Sequence, residues 1–111
     1  MSNGKATKFD GDKPRISLIP KDALWEMGKA FKHGEQKYGT FNYKHGFKYT
    51  RLADAAMRHL TQFMDGENND SESGHSHLGH AMASIAMLLD SHINHPELDD
   101  RYKRNKDEND R

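Results

Sequence analysis

Not one valine occurs among the 111 residues, and β-branched side chains are what a pleated, half-buried strand selects. Isoleucine contributes only four. The chain is therefore expected to be all-α, and its length allows one small domain. Leucine, isoleucine and phenylalanine together make 17 of 111 residues, below the roughly 20% under which a chain is suspected of disorder. The charge argues for folding, since 17 basic and 17 acidic residues cancel, whereas disordered chains usually carry one dominant sign. A short apolar core, completed in part by a second copy of the chain, reconciles the two.

Cysteine is absent, so disulfides, thiolate metal sites and cysteine nucleophiles are excluded, and any metal falls to His, Asp and Glu. The apolar runs are short and the first eight residues lack a secretory signal, so a cytoplasmic protein without a membrane span is expected. The balanced charge gives no basic face of the kind that binds nucleic acid.

Three helices are predicted. Pro20 suits an opening turn, so the first is read over Lys21 to His33, ended by Gly34, with Leu24, Met27, Gly28 and Phe31 on one face. The second runs from about Arg51 to Asp65 with Thr50 as its cap; Leu52, Ala55, Ala56, His59 and Phe63 form one stripe and Ala53, Met57, Leu60 and Met64 the next. The third covers about His75 to His92, with a core face of Leu78, Ala81, Met82, Ile85, Leu88 and Leu89. On its other side His77, His80, Ser84, Met87 and Ser91 recur at three- and four-residue spacing, a face suited to a polar cavity. Residues 1–12 and 95–111 read as polar tails around a domain at 13–94, and Gly34 to Tyr49 as a structured aromatic loop.

Eight histidines are many for this length, and five lie between His59 and His92. The polar turn after the second helix can present carboxylates to imidazoles on both flanking helices. Glu67, Asp70, Glu72, His77 and His80 are therefore candidate ligands. Oxygen donors mixed with imidazole suit Mg²⁺ or Mn²⁺ better than a closed zinc site. His59 is either a core histidine or part of the chemistry, with Asp54 and Glu72 as further catalytic candidates, while His33, His45 and His92 read as helix-end or surface side chains. Arg58, Arg51, Lys13, Arg15 and Lys37 are candidate phosphate binders. Tyr38, Asn42 and Tyr43 offer stacking faces and an amide to a nucleobase. No His-Asp dipeptide, Walker loop, H-E-x-x-H or G-x-S-x-G occurs.

Four segments carry a resemblance: KPRISLIP (13–20), KYGTFNY (37–43), RLADAAMRHL (51–60) and GENNDSESGHSHLGHA (66–81). Together they resemble the small phage and bacterial dATP/dGTP diphosphohydrolases, which are similar to the MazG-like all-α nucleoside triphosphate pyrophosphohydrolases. The resemblance implies a small helical bundle of MazG-like type, completed as a homodimer or homotetramer, that cleaves a purine deoxynucleoside triphosphate to monophosphate and pyrophosphate on a divalent metal. The wider superfamily uses E-x-x-E on one helix and E-x-x-D on the next; here His77 and His80 stand in the second motif, and the second helix offers Asp54 and His59 in place of paired glutamates. Two other readings remain at this level: a pyrophosphohydrolase of another nucleotide, in the manner of phosphoribosyl-ATP pyrophosphohydrolase, and a non-catalytic His-rich helical module that binds a metal or a partner helix.

Overall fold

The computed structural model describes residues 5–103, and every regular element among them is helical: α1 (Lys21–Tyr38), α2 (Tyr49–Met64) and α3 (His77–Asn94), with single 3₁₀ turns at Ile16–Leu18, Asn42–His45 and Pro96–Leu98. An isolated bridge between Asn69 and Ser76 pins the α2–α3 turn. α3 is the central element. It packs along α2 and against α1, which have little direct contact with each other.

Two helix boundaries differ from the sequence expectation. α1 does not stop at Gly34 but continues through it to Tyr38, and the break comes at Gly39, whose φ of 99° no side chain readily tolerates. Glycine inside a helix costs only about 1 kcal/mol against alanine, so Gly34 weakens the helix without ending it. The extra turn places His33, Gly34 and Lys37 on the same stripe as buried Ala30. α2 begins at Tyr49, so Thr50 lies inside its first turn; there its backbone N–H and hydroxyl both donate to the carboxylate of Asp100, at 2.9 and 2.5 Å. The α2 cap therefore comes from the far end of the chain. α3 begins at His77, capped by the Ser76 hydroxyl, which accepts from Gly79 N–H at 3.2 Å.

Where the sequence suggested a tail from His95, residues 95–103 are laid against the helices. His95 Nε2 donates to the Lys44 carbonyl at 2.8 Å, and the Tyr49 hydroxyl reaches the His95 carbonyl at 3.3 Å. Residues 1–4 and 104–111 lie outside the described range, while 5–15 are exposed throughout.

The core is built around small side chains, Ala30, Ala56, Ala81 and Ala83, together with Leu52 and Tyr49, and Ser84, Ser91 and His77 are buried among them. The face of α3 expected in the core is split. Ala81 is buried and Met82 and Leu88 are half-buried, while Leu78, Ile85 and Leu89 are exposed, and the small and polar residues His77, Gly79, Ala83, Ser84 and Ser91 are buried as well. Close approach draws the small residues in: a Cβ on Gly79 would stand 2.7 Å from the Glu26 carbonyl oxygen of α1, leaving no room for a side chain there. The second stripe of α2 is also outward, with Met57, Leu60 and Met64 exposed.

Candidate functional site

Where α1, α2, α3 and the α2–α3 turn converge they enclose a cavity of about 270 Å³, lined among others by His33, Lys37, His59, Asp70, Glu72 and His80. His77 is completely buried behind it. Glu67 Oε1 accepts from His77 Nε2 at 2.6 Å, which leaves the second ring nitrogen, Nδ1, for another partner. That Nδ1 lies 2.9 Å from Nδ1 of His59 on α2. A carboxylate, a buried imidazole and a cavity-facing imidazole thus stand in series. His59 in turn stacks on His80, with ring centroids 4.8 Å apart and planes 13° from parallel.

Ser73 organises the turn. Its hydroxyl oxygen accepts from His75 N–H at 3.1 Å, so its proton is free to go to His80 Nε2, 2.7 Å away. Its backbone N–H donates to Asp70 Oδ2 at 2.9 Å. The ring of His33 meets His75 and His80 edge-on at 6.1 and 5.9 Å.

Electrostatics follow from this crowding. Burial pushes the pKa of His59 below its usual value, with His77 and Arg58 adding to the effect and Asp70 opposing it. Burial likewise lowers His80, reinforced by His59, His33 and His75 against the pull of Asp70. Burial alone would raise Asp70, but the hydrogen bonds from Ser73 and the neighbouring imidazoles outweigh it and hold the carboxyl below the ordinary carboxylate range. These directions favour the neutral rings of His59 and His80 beside an ionised Asp70, the forms a cation needs.

His59, Asp70 and His77 each offer one ligand atom, all within 4.8 Å of one another. The 2.9 Å between the two imidazole nitrogens is close to the roughly 3 Å between neighbouring nitrogens that share one ion at about 2.1 Å. These residues fit a metal. Glu72 stands at the rim, paired with Lys37 at 3.0 Å, and this contact raises the lysine pKa.

A second cavity, of about 140 Å³, adjoins the first through Ala30, Gly34, Tyr38, Ala83 and Met87, which line both. Its walls are mainly apolar and aromatic. The edge of Phe31 meets the Tyr43 ring at 5.3 Å, and Phe41 approaches the other way at 6.3 Å.

Of the residues singled out in the sequence, His59, Asp70, Glu72, His80 and Lys37 line the histidine cavity, with His77 and Glu67 behind it. Tyr38, Asn42 and Tyr43 line the aromatic one. Asp54 and Arg58 are elsewhere, in a shallow depression on the exposed face of α2. Arg51 lies over the Phe47 ring, and Lys13 and Arg15 belong to the exposed N-terminal stretch. His33 and Ser73 are additions. His33 was masked by taking Gly34 as a helix stop; nothing in the spacing of Ser73 signals its role, which depends on how the turn folds.

A family profile described as dATP/dGTP diphosphohydrolase, N-terminal, matches residues 3–101. The chain belongs to that family. It is also similar to a dATP/dGTP diphosphohydrolase of Salmonella phage PMBT28, with 36% identity over 94 residues, 85% of this chain and 32% of the phage protein. The chain thus spans about a third of the length of that relative. No solved structure matches. The family match covers both cavities and the whole α2–α3 turn. Among the described residues no helix is long and apolar enough to cross a membrane.

Proposed function

We propose that this chain forms the catalytic site of a metal-dependent pyrophosphohydrolase that cleaves a purine deoxynucleoside triphosphate to its monophosphate and pyrophosphate. One observation carries the reading: His59, Asp70 and His77 converge beside a cavity whose rim bears Lys37 and whose far wall opens onto an aromatic slot. The name of the phage relative supports the substrate class.

In this reading His59, His77 and Asp70 hold the ion, with Glu67 fixing the orientation of His77 from behind. Two imidazoles and one carboxylate favour Mn²⁺ over Mg²⁺, which prefers oxygen. Bound there, the ion would neutralise phosphate charge and make water a better nucleophile at neutral pH. Lys37 exchanges its Glu72 partner for a phosphate oxygen. The released Glu72 carboxylate then accepts the proton of the attacking water as the α-phosphorus bond to the bridging oxygen breaks and pyrophosphate leaves. His80, held by Ser73 and stacked on His59, keeps that ring in place. The opposite face of α2, with Asp54, Arg51 and Arg58, has no part in the chemistry of its own protomer, nor do Lys13 and Arg15.

The test is product analysis on the eight common NTPs and dNTPs with Mn²⁺, Mg²⁺ or EDTA. Purine deoxynucleotides should give monophosphate plus pyrophosphate, faster with Mn²⁺, and Asp70→Asn should lower turnover at least a hundredfold while retaining the helical signal. Diphosphate plus orthophosphate as products would refute the reaction. Silence from folded protein, with metal raising only its thermal midpoint, would instead identify a structural metal module.

A further inference from the structure

Charge that cancels over the whole chain is unevenly placed on the fold. Five cations and two carboxylates lie between Lys13 and Lys32, and a groove along the outer side of α1 collects cations alone. This open groove, of about 550 Å³, is lined by Lys21, Leu24, Trp25, Gly28, Lys29 and Lys32. Three- and four-residue spacing keeps them on one stripe, away from Ala30, His33 and Lys37, which line the histidine cavity. Asp22 and Glu26 fall outside the groove. Glu26 pairs with Lys29 at 2.9 Å, an exposed contact that a stronger anion displaces at little cost. Trp25, the single tryptophan of the chain, is 65% exposed. Beside it nothing stands within 4 Å of where a Cβ on Gly28 would lie, so the indole is bordered by open space.

An exposed indole costs free energy in water that a covering partner recovers. A second copy of the chain is a poor cover, because a two-fold contact here would crowd the lysines of both protomers together. The occupant has to be anionic and to carry a flat apolar face. Single-stranded nucleic acid has both, since its phosphates follow a positive groove while its unpaired bases stack on aromatic side chains. We propose that the outer groove of α1 binds single-stranded nucleic acid without sequence preference: a base stacks on Trp25 over Gly28, and Lys21, Lys29 and Lys32 pair with phosphates. About 16 Å of helix separates Lys21 from Lys32, the reach of a few nucleotides. A duplex fits less well, because its bases are already stacked on one another. The groove stands apart from the histidine cavity, and binding there needs neither metal nor turnover.

Intrinsic fluorescence reads the contact directly, because Trp25 is the only indole. Titration of the whole chain with an oligothymidylate of about 12 nucleotides, in EDTA to keep metal out of the histidine cavity, should quench the emission. With three lysines on phosphates, binding should weaken about twentyfold between roughly 50 and 200 mM salt. Followed by anisotropy of a labelled strand, Trp25→Ala should bind about fivefold more weakly or worse, and Lys21→Glu with Lys32→Glu about tenfold or worse. Trp25→Phe, which keeps a stacking ring, should stay within about threefold of the unaltered chain. Trp25 and both lysines are exposed, so all these variants should retain the helical signal. No quenching at the lower salt, or affinity undiminished in Trp25→Ala, overturns the assignment. So does equal quenching by dTMP alone, which would leave a mononucleotide site. A blue shift on phosphatidylglycerol vesicles with no response to the strand would overturn it too, and make the groove a membrane contact.

Discussion

His77 gathers the logic of the site into one side chain. Buried completely, it can be accommodated only if both ring nitrogens are satisfied, and Glu67 and His59 do so from opposite edges. Sequence reading found His77, His80, Asp70 and Glu67 from the helical spacing of the imidazoles and the carboxylates between them. It left the character of His59 open and could not separate inner from outer carboxylates, because that depends on the path of the turn from Gly66 to Ser76. The lowered pKa values of His59 and His80 carry a consequence for stability. In the unfolded chain both rings titrate near 6.5, so below that pH the unfolded state binds protons the folded state resists. Stability contributed by these rings is present above about pH 6.5 and is lost as pH falls through their folded values. The metal-free thermal midpoint should thus drop between pH 7.5 and 5.5, and less steeply in His80→Gln. A His80→Gln protein with the unaltered pH slope would exclude His80 from this effect. His95, whose pKa is raised by the Lys44 carbonyl and Glu97, contributes with the opposite sign and is unchanged by that substitution.

At the level of elements, the number, type and order of helices were legible from residue spacing, and their ends were not. Gly34 and Gly39 look alike in a sequence; only the second is at positive φ. The cap on α2 was invisible because Asp100 is fifty residues from Thr50. Glycines divide again by packing. Gly79 sits where α3 crosses α1, and its added Cβ would press within 2.7 Å of a backbone oxygen that cannot rotate away. Gly28, on α1, has nothing within 4 Å of the same position. Gly79→Ala should therefore destabilise by about 1–3 kcal/mol through overpacking, while Gly28→Ala should stabilise by about 0.5–1 kcal/mol through helix propensity. Paired urea melts decide it: a shift of both variants in the same direction would refute the close approach at Gly79. Because the α1–α3 crossing sets His33 against His80 and Lys37 on the wall of the same cavity, Gly79→Ala should also weaken Mn²⁺ binding.

The expected inner stripe of α2 faces inward, with Leu52 and Ala56 buried, whereas the expected core face of α3 is split: Ala81 is buried, Met82 and Leu88 are half-buried, and Leu78, Ile85 and Leu89 are exposed. Several large aliphatic side chains point away from the described core: Ile85 and Leu89 on α3 are 56% and 57% exposed, and Met64 on α2 is 74% exposed. Periodicity alone gives two acceptable inward faces for α3, and in isolation the bulkier one is the natural choice. The close crossing at Gly79 and the polar needs of His77, Ser84 and Ser91 bring much of the other inward, and the bulkier face is left half in, half out. Contiguous apolar surface is costly in water and uncommon on monomers. The expectation of a homodimer or homotetramer, drawn from the shortage of large apolar residues, would be met if the outward stripes of α2 and α3 covered one another across subunits. Light scattering at micromolar concentration should return at least twice 12.7 kDa. The double substitution Ile85→Lys with Leu89→Lys, which touches neither cavity, should lower the mass to that of one chain and the thermal midpoint with it. A monomeric mass for the unsubstituted chain would refute the assembly and leave the exposed stripes to a different partner. Retained mass in the double variant would move the contact off α3, to the Met57, Leu60 and Met64 face of α2, where Asp54 and Arg58 would then lie at a subunit boundary.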